Sequence, residues 1–237
     1  MGRADVGLVA GTSPVGRLDI DALAVEIADR VDALPKQNVP SVRAVRREYS
    51  KRVKGAAPRE VVELAKELYR QRQVHRFFGD ELIVYHKGAL ETLSARAIES
   101  LGKGMDSWDQ VDCFGSYLSG PAWRAELIGD ETIYKWAGSP DRWWRRAALV
   151  STVALNTKSR GGTGDAKRTL AVCERLIDDR DDMVVKAMSW ALRTLGARDR
   201  KAVRAFIDGH RDELAARVVR EVENKLRTGL KNPKDGR

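Results

Sequence analysis

Apolar residues recur along most of this chain at the three-to-four-residue spacing of amphipathic helices. Between Asp19 and Leu34, apolar side chains return once per turn, and Pro35 follows directly. Proline cannot continue a helix, so this pattern predicts a helix that ends there. No segment alternates apolar and polar residues over the length of a strand. The fold class is therefore predicted to be all-α.

Proline, glycine and aspartate interrupt the pattern and mark the predicted helix boundaries. The predicted helices cover residues 19–34, 41–52, 58–69, 73–87, 89–101, a helix opening at 107, then 121–136, 140–155, 165–177, 182–195, 199–209 and 211–226. Residues 1–16 are predicted to form a mobile tail, residues 17–228 a single domain, and residues 229–237 a frayed tail.

Two of these helices open with the same pattern about 40 residues apart. Asp141 and Asp181 each precede a cation by five residues, at Arg146 and Lys186, and an alanine follows each cation. This period is typical of HEAT-like helical repeats. The sequence therefore predicts a HEAT-like repeat solenoid, curved around a basic concave face. The two cations either contact a ligand there or pair with acidic residues of a neighbouring repeat.

The charge and the composition of the chain limit the classes of partner that we expect. The chain carries 43 Lys and Arg against 34 Asp and Glu, a net charge of +9, which favours an anionic partner, nucleic acid first. No apolar run has the length of a membrane span, and the N-terminus lacks a signal-peptide layout, so we expect a cytoplasmic protein with no membrane partner. Cys113 and Cys173 form no CxxC pair, and the three histidines lack metal-ligand spacing. Neither a disulfide nor a metal site is predicted.

The segment from Ser107 to Asp112 is the first candidate site. Trp108 and Asp112 are four residues apart and share one helix face. A buried stripe is predicted on a different face, at Val111, Phe114 and Leu118. Gly115 and Ser119 continue the Trp108 face with small side chains, which we expect to admit the backbone of another molecule. The pair either holds a cation, or it is a half-covered surface Trp beside an acidic first turn.

The helix at 182–195 is the second candidate site. Lys186, Trp190 and Arg193 lie nearly opposite its predicted core face. An indole between two cations suits nucleic acid, because the cations meet phosphates and the indole meets bases or sugars. The alternative is that another helix covers Trp190.

Two further basic segments have an open role. The helix at 41–52 carries several Arg and Lys side chains, which either form a solvated face or contact phosphates. Residues 160–167 resemble a phosphate loop only superficially, because they lack the Gly-Lys-Ser/Thr ending and follow no strand. They are predicted to form a flexible loop between repeats.

Three stretches, in order, resemble the AlkD-type DNA alkylation repair family of HEAT-like DNA glycosylases. They are Ser107 to Asp112, Trp136 to Ala147 and Lys186 to Arg193. A weaker similarity at residues 67–76 extends the resemblance to roughly residues 60–228. Three motifs in the same order are far more specific than any one of them.

The resemblance implies removal of N3- or N7-alkylated purines from double-stranded DNA by hydrolysis of the N-glycosidic bond, as in base excision repair. This chemistry needs no metal or organic cofactor. The oligomeric state stays open from the sequence, although a solenoid with a basic face for DNA usually has no need to be more than a monomer. Asp112 matches the catalytic carboxylate, while Trp108 and Trp190 match aromatic residues that line the cleft. Arg146 matches a DNA-contacting arginine, although the neighbouring Arg145 leaves open which of the two reaches DNA. No lesion-contacting residue is carried over to the first 60 residues.

Two other classes of function compete with this interpretation. One is a non-catalytic HEAT-like protein that binds DNA through the same face. The other is a HEAT-like scaffold for an acidic protein partner. The sequence also leaves open whether the lesion is a methyl group or a bulky adduct, and whether it lies at N3 or N7.

Overall fold

Helices form all the regular secondary structure of the computed structural model, which describes residues 17–71 and 75–233; no strand is present in these ranges. The all-α prediction is confirmed. The helices are α1 (Ile20–Asp32), α2 (Val39–Arg52), α3 (Pro58–Arg70), α4 (Arg76–Tyr85), α5 (Ala95–Gly102), α6 (Trp108–Cys113), α7 (Gly120–Arg124), α8 (Asp130–Ala137), α9 (Arg142–Asn156), α10 (Ala166–Arg175), α11 (Asp182–Leu195), α12 (Arg200–Gly209) and α13 (Ala216–Thr228). A π-helical segment, Phe114–Ser119, joins α6 to α7, and Leu90–Thr92 and Lys158–Arg160 form short 3₁₀ turns.

Three sequence predictions fall wholly or partly outside this range. The predicted tail at residues 1–16 lies outside the described residues, as do residues 73 and 74 at the start of the helix predicted for 73–87. The last residues of the tail predicted at 229–237 also lie outside. Within the described part of that tail, Lys231 Nζ lies 3.3 Å from the Glu221 carboxylate.

The helices pack in two rows. In the first row, α2, α4, the α6–α7 unit, α9, α11 and α13 contact one another in chain order. In the second row, α1, α3, α8, α10 and α12 pack against the first, and α5 packs on the π-helical segment. The buried apolar residues form one continuous core along these rows, as expected for a helical repeat. None of the helices described is long and apolar enough to cross a membrane.

The 40-residue repeat appears in the structure as two equivalent helix starts. The Asp141 carboxylate accepts a hydrogen bond from the Trp143 amide at 2.9 Å, and the Asp181 carboxylate accepts one from the Met183 amide at the same distance. Both aspartates therefore act as N-caps, of α9 and α11 respectively. Arg142 and Asp181 also form an ion pair at 3.3 Å that joins the two repeats.

The prediction of one helix over residues 121–136 is wrong. Pro121 lies inside a continuous helical path, directly after the π-helical segment, instead of opening a new helix. Proline has no N–H to donate and crowds the carbonyl one turn earlier, and the wider π turn accommodates both effects. The path ends at Arg124, because Glu126 adopts a positive φ of 60°, and α8 begins only at Asp130.

Two other predicted helices are shorter than expected. At residues 89–101 the chain forms a 3₁₀ turn, and α5 begins only after Ser94, whose hydroxyl accepts a hydrogen bond from the Ala97 amide at 3.3 Å. At residues 211–226 the first residues form a turn, in which the Leu214 amide bonds the His210 carbonyl at 3.0 Å, and α13 begins at Ala216.

The small residues Gly115 and Ser119 pack against α9, so the prediction that they admit another molecule is wrong. A Cβ atom on Gly115 would lie 2.7 Å from Val150 Cγ1, which leaves room for no side chain there. The Ser119 and Ser151 hydroxyls are buried and lie 2.7 Å apart. The small side chains therefore bring the backbone of α9 close to the π-helical segment, and this contact sets how α9 faces α6.

Candidate active site

Asp112 and Arg146 form a two-pronged ion pair between α6 and α9. Arg146 Nε donates to Asp112 Oδ1 and Arg146 Nη2 donates to Oδ2, each at 2.9 Å. Arg146 Nη1 also donates to the Met183 carbonyl at the start of α11. One guanidinium therefore links three consecutive helices of the first row. The Arg146 side chain is 6% exposed and that of Asp112 is 19% exposed.

Two opposing effects act on the Asp112 carboxyl. Burial raises its pKa above the usual value, while the charge and hydrogen bonds of Arg146 lower it. An arginine does not lose its proton in a folded protein, so it keeps a paired carboxylate ionised at neutral pH. The more exposed partner is the carboxylate, so the negative end of the pair faces solvent.

The two tryptophans of the predicted site lie on helices that the ion pair joins. Trp108 is 57% exposed and begins α6, four residues before Asp112 and on the same helix face. Trp190 is half-buried on α11, where it packs partly against the core. It lies seven residues after Met183, about two helical turns along α11 from the carbonyl that Arg146 contacts.

Arg145 and Arg146 occupy different surroundings. Arg145 Nε donates to Asp179 at 2.7 Å, and Arg145 Nη1 donates to the carbonyls of Ser139 and Pro140. Arg145 therefore ties α9 to the loops beside it. Arg146, in contrast, pairs with an acidic residue of a neighbouring repeat. Contact of Arg145 or Arg146 with DNA stays a prediction.

The two cations predicted on α11 also have partners within the chain. Lys186 Nζ lies 2.6 Å from Asp182, four residues earlier on the same helix, and remains well exposed. Arg193 Nε donates to the Ser189 hydroxyl at 3.1 Å, and burial lowers the pKa of the Arg193 guanidinium. Lys186 is thus the more accessible of the two cations.

A second polar cluster was not predicted, and Tyr117 lies at its centre. The Tyr117 hydroxyl accepts hydrogen bonds from Arg43 Nη2 at 3.1 Å and from Arg160 Nη2 at 3.3 Å. Arg43 and Arg46 both donate to Glu81, at 2.7 and 2.9 Å. The basic helix at 41–52 is therefore not simply a solvated face, since Arg46 is buried.

The segment predicted as a flexible loop at residues 160–167 is fixed by hydrogen bonds. Arg198 donates to the carbonyls of Asn156 and Gly162, at 2.9 and 3.1 Å. The Gly162 amide donates to the Thr157 carbonyl at 2.9 Å, and a Cβ atom on Gly162 would lie 2.5 Å from the Ala154 carbonyl oxygen. Glycine is required by this close approach, and the loop holds Arg160 beside the π-helical segment.

The acidic side chain of Asp80, in α4, is buried. Asp80 accepts a hydrogen bond from the Tyr69 hydroxyl, and burial raises the pKa of Asp80 from 3.8 to about 7. Burial also raises the pKa of the Cys113 thiol to about 12, so this cysteine is a poor nucleophile. Over residues 17–71 and 75–233, no group of three or more His, Cys, Asp or Glu side chains could hold a metal ion.

Comparison with known proteins assigns the family. A family model described as DNA alkylation repair enzyme matches residues 37–226. This range contains all three motifs, and it begins in front of α2, earlier than the position near residue 60 where the resemblance was expected to start. A search of curated proteins finds no match to the chain. Because the matched range covers most of the 237 residues, the chain belongs to the DNA alkylation repair enzyme family.

Proposed function

We propose that this chain is a monomeric DNA glycosylase that excises cationic N3- or N7-alkylated purines from duplex DNA by hydrolysing the N-glycosidic bond. The observation that carries the proposal is the Asp112–Arg146 pair, which presents an oriented carboxylate to solvent beside the exposed Trp108. Membership of a DNA alkylation repair family supports it.

Hydrolysis of the N-glycosidic bond of an alkylated purine needs a fixed negative charge near the sugar. An N3- or N7-alkylated purine is already cationic, so it leaves as a neutral base without an acid to protonate it. Positive charge then grows on the deoxyribose, where a preorganised carboxylate stabilises it and orients the attacking water. A carboxylate accepts about four hydrogen bonds, and Arg146 occupies two of these positions on Asp112. The remaining positions serve water and sugar.

The two indoles help the protein to distinguish cationic alkylated bases from neutral bases. Each of Trp108 and Trp190 can attract a cationic nucleotide by about 0.5–2 kcal/mol, depending on desolvation, whereas a neutral purine lacks this attraction. Most glycosylases extrude the base into a pocket. Trp108 is more than half exposed, so a base held against it stays near the protein surface. This arrangement favours recognition by charge over recognition by the shape of a closed pocket.

Release of alkylated base from methylated duplex DNA tests the proposal. Wild type, Asp112→Asn and Asp109→Asn are compared, with duplex affinity titrated against salt in parallel. Asp109 is the matched control, because it is an exposed carboxylate on the same helix with no part in the ion pair. We expect Asp112→Asn to lose release by about 100-fold or more with affinity kept, and Asp109→Asn to resemble wild type.

The same assay separates the competing functions. Tight, salt-dependent binding with no release of any alkylated base by wild type would reject the glycosylase in favour of a non-catalytic DNA-binding protein. No binding to duplex DNA would favour the scaffold for an acidic protein. Equal release by wild type and Asp112→Asn would keep the activity but reject the role of the carboxylate.

A further inference from the structure

We propose that Arg43, Tyr117 and Arg160 form a binding site for one phosphate of the DNA backbone, beside the Asp112–Arg146 pair. We call these three residues the Tyr117 cluster. They come from α2, the π-helical segment and the 3₁₀ turn after α9. The inference rests on the proposed function, because it assigns the place of the substrate's backbone.

Hydrogen-bond donors converge in the Tyr117 cluster. Both guanidiniums donate to the same Tyr117 oxygen, at 3.1 and 3.3 Å. That oxygen is the acceptor in both bonds, so the hydroxyl hydrogen of Tyr117 remains free to donate to a third group. The Arg160 guanidinium also lies over the Tyr117 ring, 4.4 Å from its centre. Two guanidiniums and a hydroxyl therefore offer N–H and O–H donors from one small, partly exposed area.

The charge of this area is positive and incompletely balanced. Arg43 and Arg46 share the single carboxylate of Glu81, which is 1% exposed and lies beneath them. In the described part of the chain, Arg160 has no carboxylate within 4 Å, and its only side-chain hydrogen bond is to Tyr117. Three guanidiniums thus face one buried carboxylate. An anion bound above Tyr117 would relieve the repulsion between Arg43 and Arg160, and a phosphate matches their planar donors.

The position of the Tyr117 cluster links it to the carboxylate. Tyr117 follows Asp112 by five residues, so the two side chains lie within about one turn of the same helical path. The positive charge of Arg160 reaches Asp112, since it helps to lower the pKa of that carboxyl. A phosphate held at Tyr117 would therefore be one helical turn from the carboxylate, which is the scale of a single nucleotide. The phosphate would fix the sugar whose C1′ faces Asp112.

A phosphate-neutralisation scan tests the assignment. The probes are duplexes that carry one uncleavable abasic-site analogue and, in turn, one uncharged methylphosphonate at each phosphate around it. Affinity for each duplex is measured for wild type, Arg160→Ala, Tyr117→Phe and Lys158→Ala. Lys158→Ala is the matched control, because this substitution removes a positive charge from the same 3₁₀ turn but outside the Tyr117 cluster. The thermal midpoint of each variant shows whether it is folded.

We expect one phosphate position to dominate the scan. In wild type, neutralising that phosphate weakens binding about tenfold. Arg160→Ala binds the unmodified duplex about tenfold more weakly and loses less than about twofold on neutralisation at the same position. Tyr117→Phe shows the same effect in weaker form, and Lys158→Ala keeps the wild-type profile whatever its overall affinity.

Two results would overturn the assignment. One is a wild-type profile in Arg160→Ala, which would mean that another residue holds the phosphate. The other is a flat scan in wild type while inorganic phosphate, at constant ionic strength, displaces the duplex; the cluster would then bind a free anion. Failure of the glycosylase proposal gives a different pattern, in which base release is absent while the position-specific loss persists.

Discussion

We expect the Asp112–Arg146 ion pair to contribute measurably to the free energy of unfolding. Each charge-assisted hydrogen bond contributes about 1.5–3 kcal/mol net, and the pair has two of them. The partial exposure of Asp112 reduces this figure, so we expect a coupling free energy of about 2 kcal/mol between the two side chains. Arg146→Met also removes the bond to the Met183 carbonyl and should cost about 2–3 kcal/mol. For a domain of this size, that loss lowers the thermal midpoint by about 4–12 °C.

A double-mutant cycle measures this coupling. Asp112→Asn, Arg146→Met and the double variant are unfolded in urea beside wild type, and the coupling is the departure from additivity. A second cycle pairs Asp112→Asn with Arg145→Met, which breaks a neighbouring ion pair on the same helix. That control cycle should be additive. A coupling below about 0.5 kcal/mol between Asp112 and Arg146 would refute the view that the guanidinium holds the carboxylate in place.

Three further predictions follow from packing, burial and exposure. Gly115→Ala should destabilise the protein by about 1–3 kcal/mol in thermal melts, because the added Cβ meets α9. Gly209→Ala is the control: there is open space around its Cβ, so it should be neutral or stabilising. The pKa of Asp80 in the folded protein, about 7, exceeds its usual 3.8, so the folded state binds the proton more tightly and stability falls as pH rises between these values. Urea titrations should show a fall of up to about 1.4 kcal/mol per pH unit that is absent in Asp80→Asn; parallel curves for both proteins would contradict this. Trp108→Ala should leave the thermal midpoint nearly unchanged, since the indole is exposed, but reduce the preference for cationic over neutral bases by about 2- to 30-fold in release assays; an unchanged preference would remove Trp108 from lesion recognition.

Local patterns were sufficient for part of this molecule. Helical periodicity predicted the all-α fold, and the repeated aspartates of α9 and α11 marked a repeat because N-capping depends on residues close in sequence. The pairing of Arg146 with an acidic residue of another repeat was one of two outcomes that the spacing allowed. The sequence could not decide between them, because the partner lies 34 residues away.

The Tyr117 cluster could not be predicted, and the reason is physical. Tyr117 contacts Arg43 across 74 residues and Arg160 across 43, so no local spacing connects them. The 3.6-residue rule placed Gly115 and Ser119 on the face of Asp112, and all three residues do contact α9. The spacing could not show that another helix covers most of this face, because α9 lies about 30 residues further along the chain.

The π-helical segment makes the site depend on the length of the chain as well as on its residues. The segment has one more residue per turn than an α-helix. The side chains of α7 are therefore rotated about the helix axis by about 100° relative to those of a continuous α-helix from α6. Deleting a single residue between Phe114 and Ser119 would let the helix return to its ordinary spacing. Such a deletion would turn everything after it relative to Asp112, and it would separate the carboxylate from Tyr117 without replacing either one. In relatives of this chain, a one-residue gap at this point would therefore matter more than many substitutions around it.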